Sequence, residues 1–166
     1  MIITYHLLFI LKLLAALGCG LMAGVFFAFS VFVMSALARL QPPQGIAAMQ
    51  SINLTAIAPL FMAVLFGTAA ICIFLAIASL SMLSQSNTPY LILGSLLYLI
   101  GTVLVTIAFN VPLNNALAKV EPNSPSGASL WADYLITWTN WNHLRTITSL
   151  AAAAMFAIAL CNQSVN

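Results

Sequence analysis

The sequence predicts an all-α protein: a four-helix transmembrane bundle with short interfacial helices in its first and third loops. Three observations predict it. Of 166 residues, 63% are hydrophobic and only 4% are charged, against roughly 25% charged in an ordinary soluble domain. No Asp, Glu, Lys or Arg occurs between Arg39 and Lys119, a stretch that holds two spans of about 20 apolar residues each. One further span fits before Arg39 and another beyond Arg145. Six charged side chains cannot cover a surface in water, so membrane lipid is the solvent that this composition suits. The length holds one four-span domain, residues 1–166, and leaves no room for a second. Four basic residues scattered along the chain make no nucleic-acid patch.

The first span runs from Leu7 or Leu13 to Leu37. Lys12, near its start, is expected to snorkel to the interface, and Arg39 closes the span. The opening stretch Met1-Ile2-Ile3-Thr4-Tyr5-His6 lacks the basic region of a secretion signal, so it is read as the start of a retained helix. Gly20 and Gly24 form a GxxxG pair, with Gly18 and Ala28 near the same surface. Packing within the bundle is the first expectation for that face, and a homo-oligomer through Gly20 and Gly24 is the second. Gln41-Pro42-Pro43-Gln44-Gly45 reads as a turn. Ile46, Met49 and Ile52 then recur at helical spacing, predicting a short interfacial helix that leads to Pro59.

The second span covers Leu60 to Leu83, followed by a polar loop from Ser84 to Pro89. The third covers Tyr90 to Phe109. It runs into Asn110-Val111-Pro112, where the proline removes a backbone donor and disfavours helical geometry before it. Lys119 to Gly127 is the third loop. Trp131, Tyr134, Leu135 and Trp138 follow at helical spacing, predicting an interfacial helix that turns into the fourth span, Trp141 to Cys161. Ala151 to Ala154 give that span a small-residue packing face. Cys19, Cys72 and Cys161 lie in apolar stretches without a CxxC pair, as packing residues do. The protein is expected to be integral and multi-pass, in the inner membrane if the cell is bacterial. The positive-inside count leans toward cytoplasmic first and third loops, but Arg145 is no topology signal if it serves a site, so the orientation stays open.

This topology gathers polar side chains at one end. Asn53 precedes the second span, Asn110 and Asn114 end the third, and Asn142, His143 and Arg145 begin the fourth. A polar residue at membrane depth is a functional candidate. His6 lies at the other end of the first span, about 45 Å away at 1.5 Å per residue. Asn110 and Asn114 share a face if the helix survives Pro112. Trp138, Asn142 and Arg145 fall on one stripe, and Trp141, four before Arg145, is placed for a cation–π contact. His143 points about 100° from Asn142 and is the one member whose side-chain type titrates near neutrality. Structural alternatives stand beside these: the asparagines could bridge helices, and Arg145 could pair with Asp133 or Glu121. No soluble-enzyme motif is present. One histidine in the cluster is too few for a zinc site, so no metal is expected and the cofactor is unknown.

Four blocks carry a family resemblance: GLMAGVFFAFSVFVMSAL (Gly20 to Leu37), QGIAAMQSIN (Gln44 to Asn53), FNVPLNNALA (Phe109 to Ala118) and WTNWNHLRT (Trp138 to Thr146). The chain resembles the family of small membrane proteins that contains the fungal anthrone oxygenases, whose bacterial members are mostly of unknown function. The resemblance implies a four-helix membrane protein and oxidation of a polycyclic phenolic anthrone to an anthraquinone with dioxygen as co-substrate, a scheme that in principle needs no metal or flavin. It carries a site role to Asn110, Asn114, Trp141, Asn142, His143 and Arg145; in the chemical scheme built on it His143 would be the base, and Asn110, Asn114 or Arg145 would stabilise the enolate oxygen. Trp138, Trp141, Asn142 and Asn53 would hold the substrate, an apolar aromatic small molecule. Family members often carry Asn before the proline that opens the second span; here that residue is Ala58. The competing expectation is a non-enzymatic bundle that binds a lipid or quinone, or supports a membrane complex. Whether Trp138, Trp141 and His143 line an open cavity discriminates the two.

Overall fold

The structure is a computed structural model describing residues 2–81, 83 and 85–162, with side chains from His6 onward. Every element among these residues is helical. Four helices are long and apolar enough to cross a membrane: His6–Leu37, Pro59–Leu80, Thr88–Leu117 and Pro125–Cys161. They are α1 (residues 2–37), α3 (Pro59–Leu80), α4 (Thr88–Leu117) and α5 (Pro125–Cys161), and α2 (Pro42–Thr55) is the short helix between α1 and α3. In the bundle α1 packs on α5 and α3, and α4 packs on the same two. Chain neighbours are therefore spatial neighbours, as short connections require.

Several boundaries differ from expectation for identifiable reasons. Pro42 and Pro43 do not form a turn but open α2, where the missing N–H costs nothing and the fixed φ suits a first helical turn. The third span does not end at Phe109. It continues through Pro112 to Leu117, because its ladder widens to π geometry over Thr106–Asn110 just before the proline. Pro112 can neither bond the carbonyl four residues back nor tolerate it close by, and a wider turn relieves both problems. The aromatic helix before the fourth span is present but continuous with it, giving α5 a length of about 55 Å, well beyond the hydrocarbon thickness of about 30 Å. The second span stops at Leu80; Ser84, read as the start of the following loop, lies outside the described residues.

Two side-chain expectations are also corrected. Lys12 does not snorkel outward; it is buried in the bundle, 3% exposed. The Gly20/Gly24 face does not pack within the chain, since a Cβ at either position would meet nothing. Close approaches are made instead by Gly18 against Thr68, Gly94 against Met155 and Phe156, and Gly101 against Thr148. Small residues that face a neighbouring helix let backbones approach; Gly20 and Gly24 face away.

The core has two parts. A membrane core joins Cys19, Met22, Phe26, Leu65, Cys72, Tyr98 and Phe156. A second core joins Met34 and Leu37 of α1, Ile46 and Met49 of α2, Leu117 of α4, and Trp131, Tyr134 and Trp138 of α5. Between the two lies a layer of polar side chains.

Candidate active site

Both α1 and α4 are π-helical where they meet this layer. The wide turn Phe29–Val33 carries Ser30, and Thr106–Asn110 carries Thr106 and Asn110. Such turns recur at functional sites because they re-aim side chains within a helix.

Arg145 is at the centre, 5% exposed. Its Nη2 donates to Asn142 Oδ1 at 2.8 Å and its Nη1 to Thr106 Oγ1 at 3.3 Å, while its Nε is buried without a partner. The guanidinium lies over the Phe26 ring at 4.4 Å and the Trp138 ring at 5.1 Å. Among the described residues it has no ion pair: Asp133 and Glu121 are exposed elsewhere. The expected contact with Trp141 is absent too: the Arg145 side chain turns into the bundle, onto Phe26 and Trp138. Trp141 stacks outside on Phe109, with centroids 3.7 Å apart.

Asn142, fully buried, holds Arg145 from behind. Its Nδ2 donates to Phe26 O and to Ser30 Oγ, both at 2.7 Å. Thr146 Oγ1 donates to Asn142 O at 2.9 Å, which leaves Ser30 as the donor in the 3.2 Å pair with Thr146. Asn110 donates to Trp138 O at 3.2 Å and so bridges α4 to α5. Asn114 Oδ1 accepts from Tyr134 Oη and from Trp138 Nε1, both at 2.8 Å. An indole N–H can only donate, so the carbonyl side of Asn114 is fixed against the tryptophan and its NH₂ is left for other partners.

A cavity of about 620 Å³ adjoins this layer, within the range of small-molecule sites. Its walls come from all five helices: Phe26 and Phe29 of α1, the run Met49–Ile57, Phe61 to Leu65 of α3, Thr106 and Asn114 of α4, and Trp138 and Arg145 of α5. Arg145 is the one titratable side chain in that lining. Among the described residues, no three His, Cys, Asp or Glu side chains gather as a metal-ligand group.

Of the candidate residues, Asn53, Asn114, Trp138 and Arg145 line the cavity. Asn110 and Asn142 sit behind it as braces. His143 and Trp141 are not on it. His143 is exposed on the outer face of α5 with no hydrogen bond among the described residues: once Asn142 points inward, a rotation of about 100° per residue turns its successor outward.

A model of the anthrone oxygenase family matches residues 59–155, more than half of the chain. The chain belongs to this family. Neither a curated protein nor a solved structure matches. The anthrone oxygenase match covers the FNVPLNNALA and WTNWNHLRT blocks, which supply Asn110, Asn114, Asn142 and Arg145 to the polar layer. Phe26, Ser30 and Thr106 were missed. Thr106 stands four before Asn110, and Ser30 four after Phe26; both pairs share a helix face that leads into the layer.

Proposed function

We propose that the protein oxidises an anthrone-like phenolic ketone to its quinone with dioxygen, and that Arg145 holds the substrate oxygen as an anion. The carrying observation is a buried guanidinium without a carboxylate, with an unpaired Nε, on the wall of a cavity large enough for a fused aromatic ring system. A buried cation left uncompensated is costly, and an enolate oxygen supplies the missing charge. The free NH₂ of Asn114 adds a second donor. Phe26, Phe29 and Trp138 offer ring faces.

The chemistry follows from that anion. Ionisation at the CH₂ group puts charge on the ketone oxygen, and a preorganised cation favours the charged form. The lining offers no carboxylate or imidazole, so the proton passes to water. The electron-rich ring carbon transfers an electron to dioxygen, and the radical pair combines to a peroxide on that carbon. The peroxide takes up a proton from water, and loss of the second C–H proton with cleavage of the O–O bond then gives the new carbonyl and hydroxide. One anthrone and one dioxygen yield one quinone and one water.

Dioxygen uptake with 1,8-dihydroxyanthrone, measured above the protein-free rate, tests this. Arg145→Gln should lower the rate by about 10²–10³, the loss typical of one oxyanion donor. His143→Ala should remain within twofold of the unaltered protein. A fully active Arg145→Gln, or no uptake by the unaltered protein, would overturn the proposal. The absence of a proton acceptor on the cavity wall favours a second reading, binding of a quinone-type ring without turnover; it predicts saturable binding of 1,8-dihydroxyanthraquinone and no dioxygen uptake.

A further inference from the structure

We infer that the ligand enters this cavity sideways from the bilayer, through the α2–α3 turn, as an uncharged aromatic molecule dissolved in lipid. The inference rests on the cavity being the ligand site proposed above, but not on the oxidation chemistry. Part of the cavity wall is one continuous run, Met49–Ile57. Its first part is tied down: Gln50 Nε2 donates to Leu117 O at 2.9 Å and Val120 O at 3.1 Å, and α2 rests on α5 and the end of α4. Beyond Gln50 the fastening is lighter: Asn53 meets Tyr134 of α5, and Thr55 Oγ1 donates to Ser51 O within the run itself. The run then leaves the helix at Ala56, and α3 restarts at Pro59. On this side the wall is a single turn of chain.

The outer surface of that turn is apolar. Leu54 is 74% exposed, Ile57 67% and Leu60 79%; side chains of this kind in water would make a costly patch. Helix length puts this turn at the edge of the hydrocarbon. At 22 residues, α3 is about 33 Å long, close to the hydrocarbon thickness, so Leu60 sits near the hydrocarbon boundary. Leu65, which lines the cavity from the same helix, lies about 7.5 Å deeper by helix rise. The cavity therefore reaches into the hydrocarbon slab, behind a wall whose outer side chains suit that slab. An anion would not cross such an entrance. A neutral ketone or phenol would, and it would ionise only on reaching Arg145.

The test has two arms, both independent of turnover. In proteoliposomes of the Cys161→Ser protein, which lacks the exposed thiol, spin labels at Leu54→Cys and Ile57→Cys should collide with dioxygen, which concentrates in lipid, at least fivefold more than with a water-soluble nickel chelate. Preference for the nickel chelate, or access to neither, would overturn the inference. In the second arm Ile57→Trp should slow the association of 1,8-dihydroxyanthraquinone at least tenfold and its release similarly, leaving the equilibrium constant within threefold; an unchanged association rate would overturn it. Leu54→Trp serves if Ile57→Trp does not fold. Failure of dioxygen uptake with both arms positive would refute the oxidation chemistry and leave the entrance intact.

Discussion

Asn114 and Asn142 are each oriented by at least one partner that can play a single role. Trp138 Nε1 only donates, so it meets Asn114 Oδ1; Phe26 O only accepts, so it meets Asn142 Nδ2; Arg145 only donates, so it meets Asn142 Oδ1. Asn142 thus sets the position of Arg145 without touching the cavity. Asn142→Leu removes three hydrogen bonds and orphans buried groups, each costing about 1–3 kcal/mol, so it should lower the thermal unfolding temperature in detergent by several degrees and weaken 1,8-dihydroxyanthraquinone binding. Asn142→Asp separates position from charge. A carboxylate there would neutralise the guanidinium, so affinity for 1,8-dihydroxyanthraquinone, whose phenol would ionise against Arg145, should drop at least tenfold while the unfolding temperature stays above that of the leucine variant. Equal probe affinity in Asn142→Asp and the unaltered protein would mean that charge at Arg145 plays no part in binding. At this scale the sequence was partly legible. The Trp138, Asn142 and Arg145 stripe was readable from spacing, and the three do meet. The direction in which the Arg145 side chain runs was not, because spacing along a helix does not say which neighbour a flexible side chain selects.

At the scale of elements, the seam between α4 and α5 organises the site. Gly94, Gly101 and Thr102 let the two helices close, with Thr102 Oγ1 2.7 Å from Ser149 Oγ; above them Thr106, Asn110 and Asn114 then reach Arg145, Trp138 and Tyr134. A Cβ at Gly101 would press into the Thr148 side chain. Gly101→Val should therefore part the seam and destabilise the protein by about 1–3 kcal/mol, the usual cost of overpacking, with weaker probe binding because Arg145 moves with α5. Gly24→Ala should be neutral by the same thermal measurement. Equal effects at the two positions would contradict the packing assigned here. Four spans and their polar end were legible from charge spacing and Pro-rich breaks. The helical ends were not. Pro42 and Pro112 read as breakers, yet one opens a helix and the other is absorbed by a π turn, and both outcomes depend on backbone hydrogen bonds that residue identity does not reveal. The GxxxG pattern was likewise visible without showing which way it faces.

On the scale of the whole molecule, the polar layer divides the bundle into a membrane core and a cap formed by α2 and the ends of its neighbours. The two parts depend on different things. The membrane core is held by α1, α3, α4 and α5 together, whereas α2 leans on α4 and α5 and is fastened by Gln50 to Leu117 O and Val120 O. If α2 opens as its own unit, Gln50→Ala should loosen it alone. Two net hydrogen bonds are worth about 1–3 kcal/mol together, so amide exchange across residues 46–55 should accelerate by roughly five- to a hundredfold. Exchange in residues 65–80 and 148–160 should stay unchanged. Met49–Ile57 and Arg145 line the same cavity, so if a ring binds there as proposed, saturating 1,8-dihydroxyanthraquinone should slow α2 exchange again, and less so in Gln50→Ala than in the unaltered protein. Acceleration spread evenly over all five helices would instead show that cap and core unfold as one, and that the α2 wall does not move independently of the Arg145 layer.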